Sequence, residues 1–513
     1  MKNLKLYLLL IAISTALLFT NCTNEENYDN LNPNSNANAV ISNEANLDLS
    51  SLALSIGVTS GDTETNTPGE IVENPWINTS EEPISTFSID ADGGSYANIR
   101  KQLEADRFPS PDIVRTEEII NFFQMDYPEP GLEHPISLNG EIADCPWNQD
   151  HKLLRIGIKG KYISRENMPP ANFVFLIDVS GSMNSPDKLD LLKEGFKIYA
   201  DYMRPEDLIS IVTYSGSWDV ILTPTPGNLK EVIKTAIDRL SAGGSTNGEG
   251  GINEAYSLAE SSFIPGGNNR VILGTDGDFN IGVSTVDELV GLIEVKRETG
   301  IFLSVLGVGA GNFRDSQMEQ LANNGNGTYE FIDDIEQAQK VFVEEFGKFY
   351  TVAKDVKIQI DFDPNFVQKY RLIGYENRIL DTEDFLDDTE DAGEIGSDQK
   401  ITALYELQTS QVSSQFTPFT TVDFRYKLPD SNNSKGMTLD IFNQNTPFSL
   451  ASENTRFAAA AAGYGLMLRD SEYKGSLTWN NVYQWANQAQ TFDPNNHRSE
   501  FLTWILKAEE LDQ

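Results

Sequence analysis

Cysteine is almost missing from this chain: Cys22 and Cys145 are the only two in 513 residues. No disulfide framework can be built from them, and if lipid consumes Cys22 no intramolecular disulfide is possible at all, so packing must supply the stability. Cys145 reads as a small buried hydrophobe. Histidine is nearly as scarce, with His134, His151 and His497 all outside the central region described below. A zinc site of the usual Cys/His kind is therefore unsupported. Basic residues are also in short supply, 38 Lys+Arg against 77 Asp+Glu, for a formal net charge of -39. A polyphosphate partner needs a basic patch, so nucleic acid is excluded, whereas cations collect near such a surface.

What remains is ample for folding. A chain of 513 residues is long enough for about three domains of ~100–200 residues. Its 39% hydrophobic and 10% aromatic content can bury enough apolar surface to offset ordering entropy.

Lys2 and Lys5 precede an apolar run from Leu6 to Phe19, too short to span a bilayer and shaped like a secretory signal. The following Leu18-Phe19-Thr20-Asn21-Cys22 resembles a lipobox, with Asn21 where a small residue is usual. Residues 1–21 are thus expected to be a signal peptide and Cys22 a lipidation site, anchoring the protein to a membrane of the bacterial cell envelope, the outer membrane being the expected one. Thr23-Asn24-Glu25-Glu26 looks like the surface-export signal of some Bacteroidetes lipoproteins. Residues 22–83 are rich in Asn, Ser, Thr and acids and read as a disordered tether.

The folded part begins at about residue 84. Ile113, Thr116, Ile120 and Phe123 recur at helical spacing with Glu118 opposite, predicting one amphipathic helix. Ser88-Ile89-Asp90-Ala91-Asp92-Gly93-Gly94 lacks the later ligands of a calcium loop and reads as a turn. Alternating apolar residues at 153–159, 355–362 and 422–428 predict half-buried strands. Continuous apolar runs in the centre, 173–177, 208–212, 271–273 and 301–306, are expected of strands covered on both faces. Between the first two, Ser185-Pro186-Asp187 opens a helix with Leu189, Leu192, Phe196, Tyr199 and Met203 on one face. Strand and helix alternate, so the expected fold class is α/β: a doubly wound, mostly parallel sheet flanked by, or inserted in, a β-rich platform with a C-terminal helical segment. The matching alternation at 153–159 and 355–362 further predicts that strands from the two sides of the central region pair. The expected division is 84–168 for an N-terminal segment, 169–350 for the central domain, and 351–513 for a β-rich domain ending in helices.

The first central strand runs into Asp178-Val179-Ser180-Gly181-Ser182. Later segments supply Gly243-Gly244-Ser245-Thr246-Asn247 and Thr275-Asp276-Gly277-Asp278. Ligands bind at the carboxyl ends of strands in open α/β sheets, so the three segments can converge. Together they resemble the metal-ion-dependent adhesion site of von Willebrand factor type A domains. The resemblance implies that Ser180, Ser182 and Thr246 hold a cation by their hydroxyls, Thr246 directly or through water, and that Asp178 and Asp276 act mainly through water. The implied cofactor is Mg²⁺, with Mn²⁺ or Ca²⁺ as substitutes, and the implied partner is a protein presenting an Asp or Glu carboxylate. Neutral hydroxyls leave Mg²⁺ electrophilic and ready to recruit an outside acid.

Two stretches outside that domain extend the likeness. Ser88-Ile89-Asp90 with Val114-Arg115-Thr116-Glu117-Glu118, and then Gly374-Tyr375-Glu376-Asn377-Arg378 with Thr402-Ala403-Leu404-Tyr405-Glu406, look like the N-terminal segment and the C-terminal domain of unknown function of a bacterial von Willebrand factor A lipoprotein family. The acids from Asp381 to Glu394 read as a solvated loop rather than a second cation site. The Ala-rich Phe457–Arg469 segment and the Trp479–Lys507 segment read as helices with core-facing apolar sides.

The leading functional reading is thus a cation-dependent binding or assembly module and not an enzyme. The alternative is a Mg-dependent phosphohydrolase of Rossmann-like fold. Its usual Asp-x-Asp would need an acid at Ser180 to protonate the leaving group. A serine hydrolase is excluded because Ser180-Gly181-Ser182 is not Gly-x-Ser-x-Gly.

Overall fold

A computed structural model describes residues 71–512 apart from 90–91, 247, 278–285, 310–314, 391 and 411–416. The expected signal peptide and Cys22 lie outside the described residues.

The central region folds as a six-stranded sheet in the spatial order Tyr329–Ile332, Ile301–Val308, Asn268–Thr275, Ala171–Asp178, Leu208–Tyr214, Trp218–Pro226. All neighbours are parallel except the last pair, which is antiparallel. Side chains alternate across a strand, so the run Phe173–Ile177 feeds two cores. Phe173, Phe175 and Ile177 meet Phe196 and Tyr199 of the helix Leu191–Tyr202 on one face. Val174 and Leu176 meet Ile252 and Tyr256 of the helix Glu249–Ser261 on the other. The apolar face expected after Ser185 is buried throughout, at Leu189, Leu192, Phe196, Tyr199 and Met203.

Two further sheets form the platform. One runs in the order Ile77–Asn78, Val367–Ile373, Lys400–Thr409, His151–Gly160, Ile136–Asp144. The other runs Gly393–Gly396, Thr351–Phe362, Thr420–Lys427, Ser434–Ile441, with Ile84–Ser88 added to Thr351–Phe362. Strands from before and after the central domain do pair, His151–Gly160 with Lys400–Thr409 and Ile84–Ser88 with Thr351–Phe362. The pairing inferred from residues 153–159 and 355–362 is different, because these strands lie in separate sheets. Leu154, Ile156 and Ile158 share one core with Val356, Ile358 and Ile360. Matching alternation there records two faces of one apolar layer rather than a shared ladder.

The tether was expected to reach residue 83, but residues from Ile71 on are tied to the folded part, and residues 22–70 lie outside the described residues. Asn74 donates from Nδ2 to the carbonyls of Leu372 and Gly374, at 3.2 and 2.8 Å. Ile77–Asn78 pairs with Tyr370 and Lys369. Polar composition pointed to disorder here, but a strand edge supplies partners that composition does not show.

The single amphipathic helix over 113–123 is also corrected. A 3₁₀ turn Pro111–Ile113 precedes a short helix Thr116–Asn121, and Val114 between them is extended. Glu118, placed opposite the apolar side, is 2% exposed. Its carboxylate accepts from the backbone N–H of Ser95 at 2.7 Å and pairs with Arg115 at 3.3 Å. It thereby satisfies an otherwise orphan donor in the first turn of the helix Gly94–Glu104. This N-terminal region packs with the helices Glu453–Leu468, Trp479–Asn487 and His497–Leu511 in one core that includes Phe123, Phe457, Ala458–Ala462 and Phe501. In the acidic stretch, Asp388 pairs with Arg425 at 2.9 Å, and Lys357 donates to the Asp384 carbonyl at 2.9 Å. Asp391 lies outside the described residues.

Cys145 is 2% exposed, and burial pushes its thiol well above the ordinary range. A thiolate is the reactive form. In a Cys22→Ser chain a thiol reagent should therefore titrate no cysteine in native protein and one after denaturant. Rapid reaction without denaturant would show that this core opens.

Candidate metal centre

Three loops at the carboxyl edge of the central sheet make the site. Asp178 ends the strand Ala171–Asp178, and its Oδ1 accepts the backbone N–H of Ser180 at 2.8 Å. That short local bond folds the loop back so that Ser180 and Ser182 project together. Their Oγ atoms are 2.9 Å apart. The Gly-Gly loop is fastened to this one by backbone bonds from Gly243 to Val179, 2.7 Å, and from Gly181 to Gly244, 3.0 Å. Thr246 is half-buried three residues beyond Gly243.

The third loop brings Asp276, which is 5% exposed and follows the strand Asn268–Thr275. Gly277 has φ +90, a left-handed conformation that favours glycine and turns the chain directly after the acid. The Gly277 N–H donates to Thr275 Oγ1 at 3.2 Å, and that hydroxyl approaches Asp178 Oδ2 at 3.5 Å. Asp278 and Asn247 lie outside the described residues.

The electrostatics follow from burial. Asp178 is 0% exposed. Loss of solvent, with Asp276 nearby, pushes its carboxyl up to about 6, although the Ser180 backbone and side chain pull it down. Uncompensated buried acid is costly. The second buried acid, Asp276, is answered by a cation of the chain: Lys188 Nζ donates to Asp276 Oδ2 at 2.8 Å and to the Ser182 carbonyl at 2.8 Å.

Sequence reading missed Lys188 and Thr275. The signal for Thr275 was its place immediately before Asp276 at a strand end. Lys188 had a weaker one, since it sits inside the helix start at Pro186–Asp190, where it reads as a solvated residue.

The residues fit a hard divalent ion. Octahedral coordination at ~2.0–2.1 Å puts adjacent ligand oxygens about 2.9 Å apart, and the Ser180 and Ser182 hydroxyls stand 2.9 Å apart. Among the described residues no group of three or more His, Cys, Asp or Glu is arranged to hold a metal. The site is open, because Gly181 and Ser182 are exposed. A cavity of about 360 Å³ lies elsewhere, between the platform and the chain segments entering and leaving the central domain, with Arg165, Glu345, Lys348 and Lys400 on its walls.

Comparison with known proteins identifies the domains. Residues 173–278 match the model of the von Willebrand factor type A domain, and 62–155 match a von Willebrand factor model. Residues 347–511 match the C-terminal domain model of uncharacterized protein YfbK. The Escherichia coli (strain K12) protein of that name is 39% identical over 462 residues, 85% of this chain and 80% of its own length. Human inter-alpha-trypsin inhibitor heavy chain H3 is 33% identical over 129 residues, 23% of this chain and 14% of that protein. A von Willebrand factor type A protein from Catenulispora acidiphila superposes with TM-score 0.40 at 16% identity, over 76% of this chain and 97% of that one. The central sheet has the α/β von Willebrand factor A fold, a domain type that commonly binds divalent metals and mediates protein interaction. The chain therefore belongs to the family of uncharacterized protein YfbK, a bacterial von Willebrand factor type A family with its own C-terminal domain.

Proposed function

We propose that this protein is a bacterial envelope lipoprotein that captures an acidic side chain of a protein partner at a divalent-cation centre, serving adhesion or assembly rather than catalysis. The observation that carries this reading is the pair of hydroxyls 2.9 Å apart above a buried carboxylate. Ser180, Ser182 and Thr246 would hold Mg²⁺, or Mn²⁺ or Ca²⁺, and Asp178 and Asp276 would orient its waters. Bound there, the ion supplies an electrophilic position that an outside carboxylate can fill. Exposed Ser182 and Gly181 leave that side open to a macromolecule. Ser180 stands where a phosphohydrolase of related fold would need an acid, which disfavours the enzymatic reading.

Leu6–Phe19 and Cys22 support the anchored location, and no helix among the described residues is long and apolar enough to cross a membrane. The test is affinity capture from envelope extract, with wild type and Asp178→Ala, each with Mg²⁺ and with EDTA. A protein retained only by wild type in Mg²⁺ is the expected result. The same proteins retained in all four arms would overturn the proposal.

A further inference from the structure

We infer that Lys188 lowers the affinity of this centre for divalent cations and favours the arrival of an outside carboxylate beside them. The inference rests on the function proposed above. Lys188 is not a loose surface lysine. Its Nζ bonds Asp276 Oδ2 and the Ser182 carbonyl, both at 2.8 Å, and its side chain is 22% exposed beside an Asp276 side chain that is 2% exposed. Its stem is seated as well. Gly309, at φ +90 just after the strand Ile301–Val308, lies under it, and a Cβ there would come within 2.6 Å of Lys188 Cε and 3.2 Å of Cγ. Lys188 thus reaches across the ends of two neighbouring strands to one of the two site acids, held by contacts along its whole length.

The consequence is a matter of charge. Asp276 is shared between the ammonium and whatever cation Ser180 and Ser182 hold, and like charges drawn to one buried carboxylate repel each other. Asp178 and Asp276 together balance a dication. Lys188 adds one positive charge to that set, and a foreign carboxylate cancels it. Lys188 therefore weakens the cation by repulsion and favours an incoming acid by attraction, while the acid, once bound, tightens the cation. By linkage the cation strengthens the acid's binding by the same factor. The shared carboxylate makes the centre selective for acidic partners, since a neutral ligand leaves the surplus charge in place.

Calorimetric titration of the full chain with Mg²⁺ alone and with Mn²⁺ alone tests this. Lys188→Gln and Lys188→Met, the latter keeping an apolar stem over Gly309, should bind both ions about tenfold more tightly than wild type, while Lys188→Arg keeps the weaker affinity. Equal or weaker binding by Lys188→Gln and Lys188→Met, with wild type binding normally, would overturn this inference and leave the proposed function standing. Absence of binding by wild type and by all variants would overturn both.

Discussion

Arg100→Ala is expected to lower the unfolding free energy by about 3–5 kcal/mol. Arg100 lies in the helix Gly94–Glu104, outside the central domain, and grips Asp333, just after that domain's edge strand Tyr329–Ile332. The grip is bidentate, from Nε to Oδ2 at 3.0 Å and from Nη2 to Oδ1 at 2.8 Å, with side-chain exposures of only 4% and 5%. Glu500 adds a third contact at 3.3 Å from the last helix, and the guanidinium lies over the Tyr96 and Phe122 rings. Truncation therefore leaves a buried carboxylate alone and unpins the central domain from two other segments.

The pH dependence follows from the same pair. Burial raises Asp333 from 3.8 to about 7 against the pull of Arg100. A carboxyl with a raised folded value holds its proton where the unfolded chain has released it, so its contribution to stability declines as pH rises from 3.8 to about 7. Without Arg100 the carboxyl rises further and the decline continues past that point. The deficit of Arg100→Ala should be larger at pH 8.5 than at pH 6, as read by denaturant titration at about those two pH values. A deficit independent of pH would show that Asp333 is not the group left stranded.

The second large effect is at the proposed metal centre. With a divalent cation at about 100 times its dissociation constant, the wild-type fold gains about 2.7 kcal/mol, and Asp178→Ala should gain none. Removal of the carboxylate deletes the acceptor that folds Ser180 back beside Ser182. Melting curves recorded with Mg²⁺ and with EDTA separate this from plain destabilisation, because only the difference between the two conditions counts. A difference that survives in the variant would place the cation elsewhere.

Much of this was legible in the residues. The central strands announced themselves because a strand buried on both faces must be apolar throughout, as Phe173–Ile177 is. The loop Asp178–Ser182 was less telling by itself, since a short Ser/Gly loop after a strand is common, and it stood out only together with the Gly243-Gly244 and Thr275-Asp276 segments, which meet it at the same sheet edge. Partnering between distant segments was harder to see. Ile156 and Ile358 belong to facing sheets although their alternation matches, because period two records which side of a strand is buried and not which neighbour it bonds. Glu118 looked solvent-facing because helical spacing fixes a direction, not a destination, and here that direction leads to the start of another helix. Lys188 was silent for a related reason: its role depends on Asp276, 88 residues later, and on the space above Gly309.

The central claim is that Ser180, Ser182 and Thr246 share one hydrated ion. Crystals soaked in Mn²⁺ and measured for anomalous scattering test it most directly. The expected result is a single peak bonded at about 2.1 Å to the Ser180 and Ser182 hydroxyls, with Thr246 bonded directly or through one water. A peak held by other residues, or none at this loop edge, would contradict it.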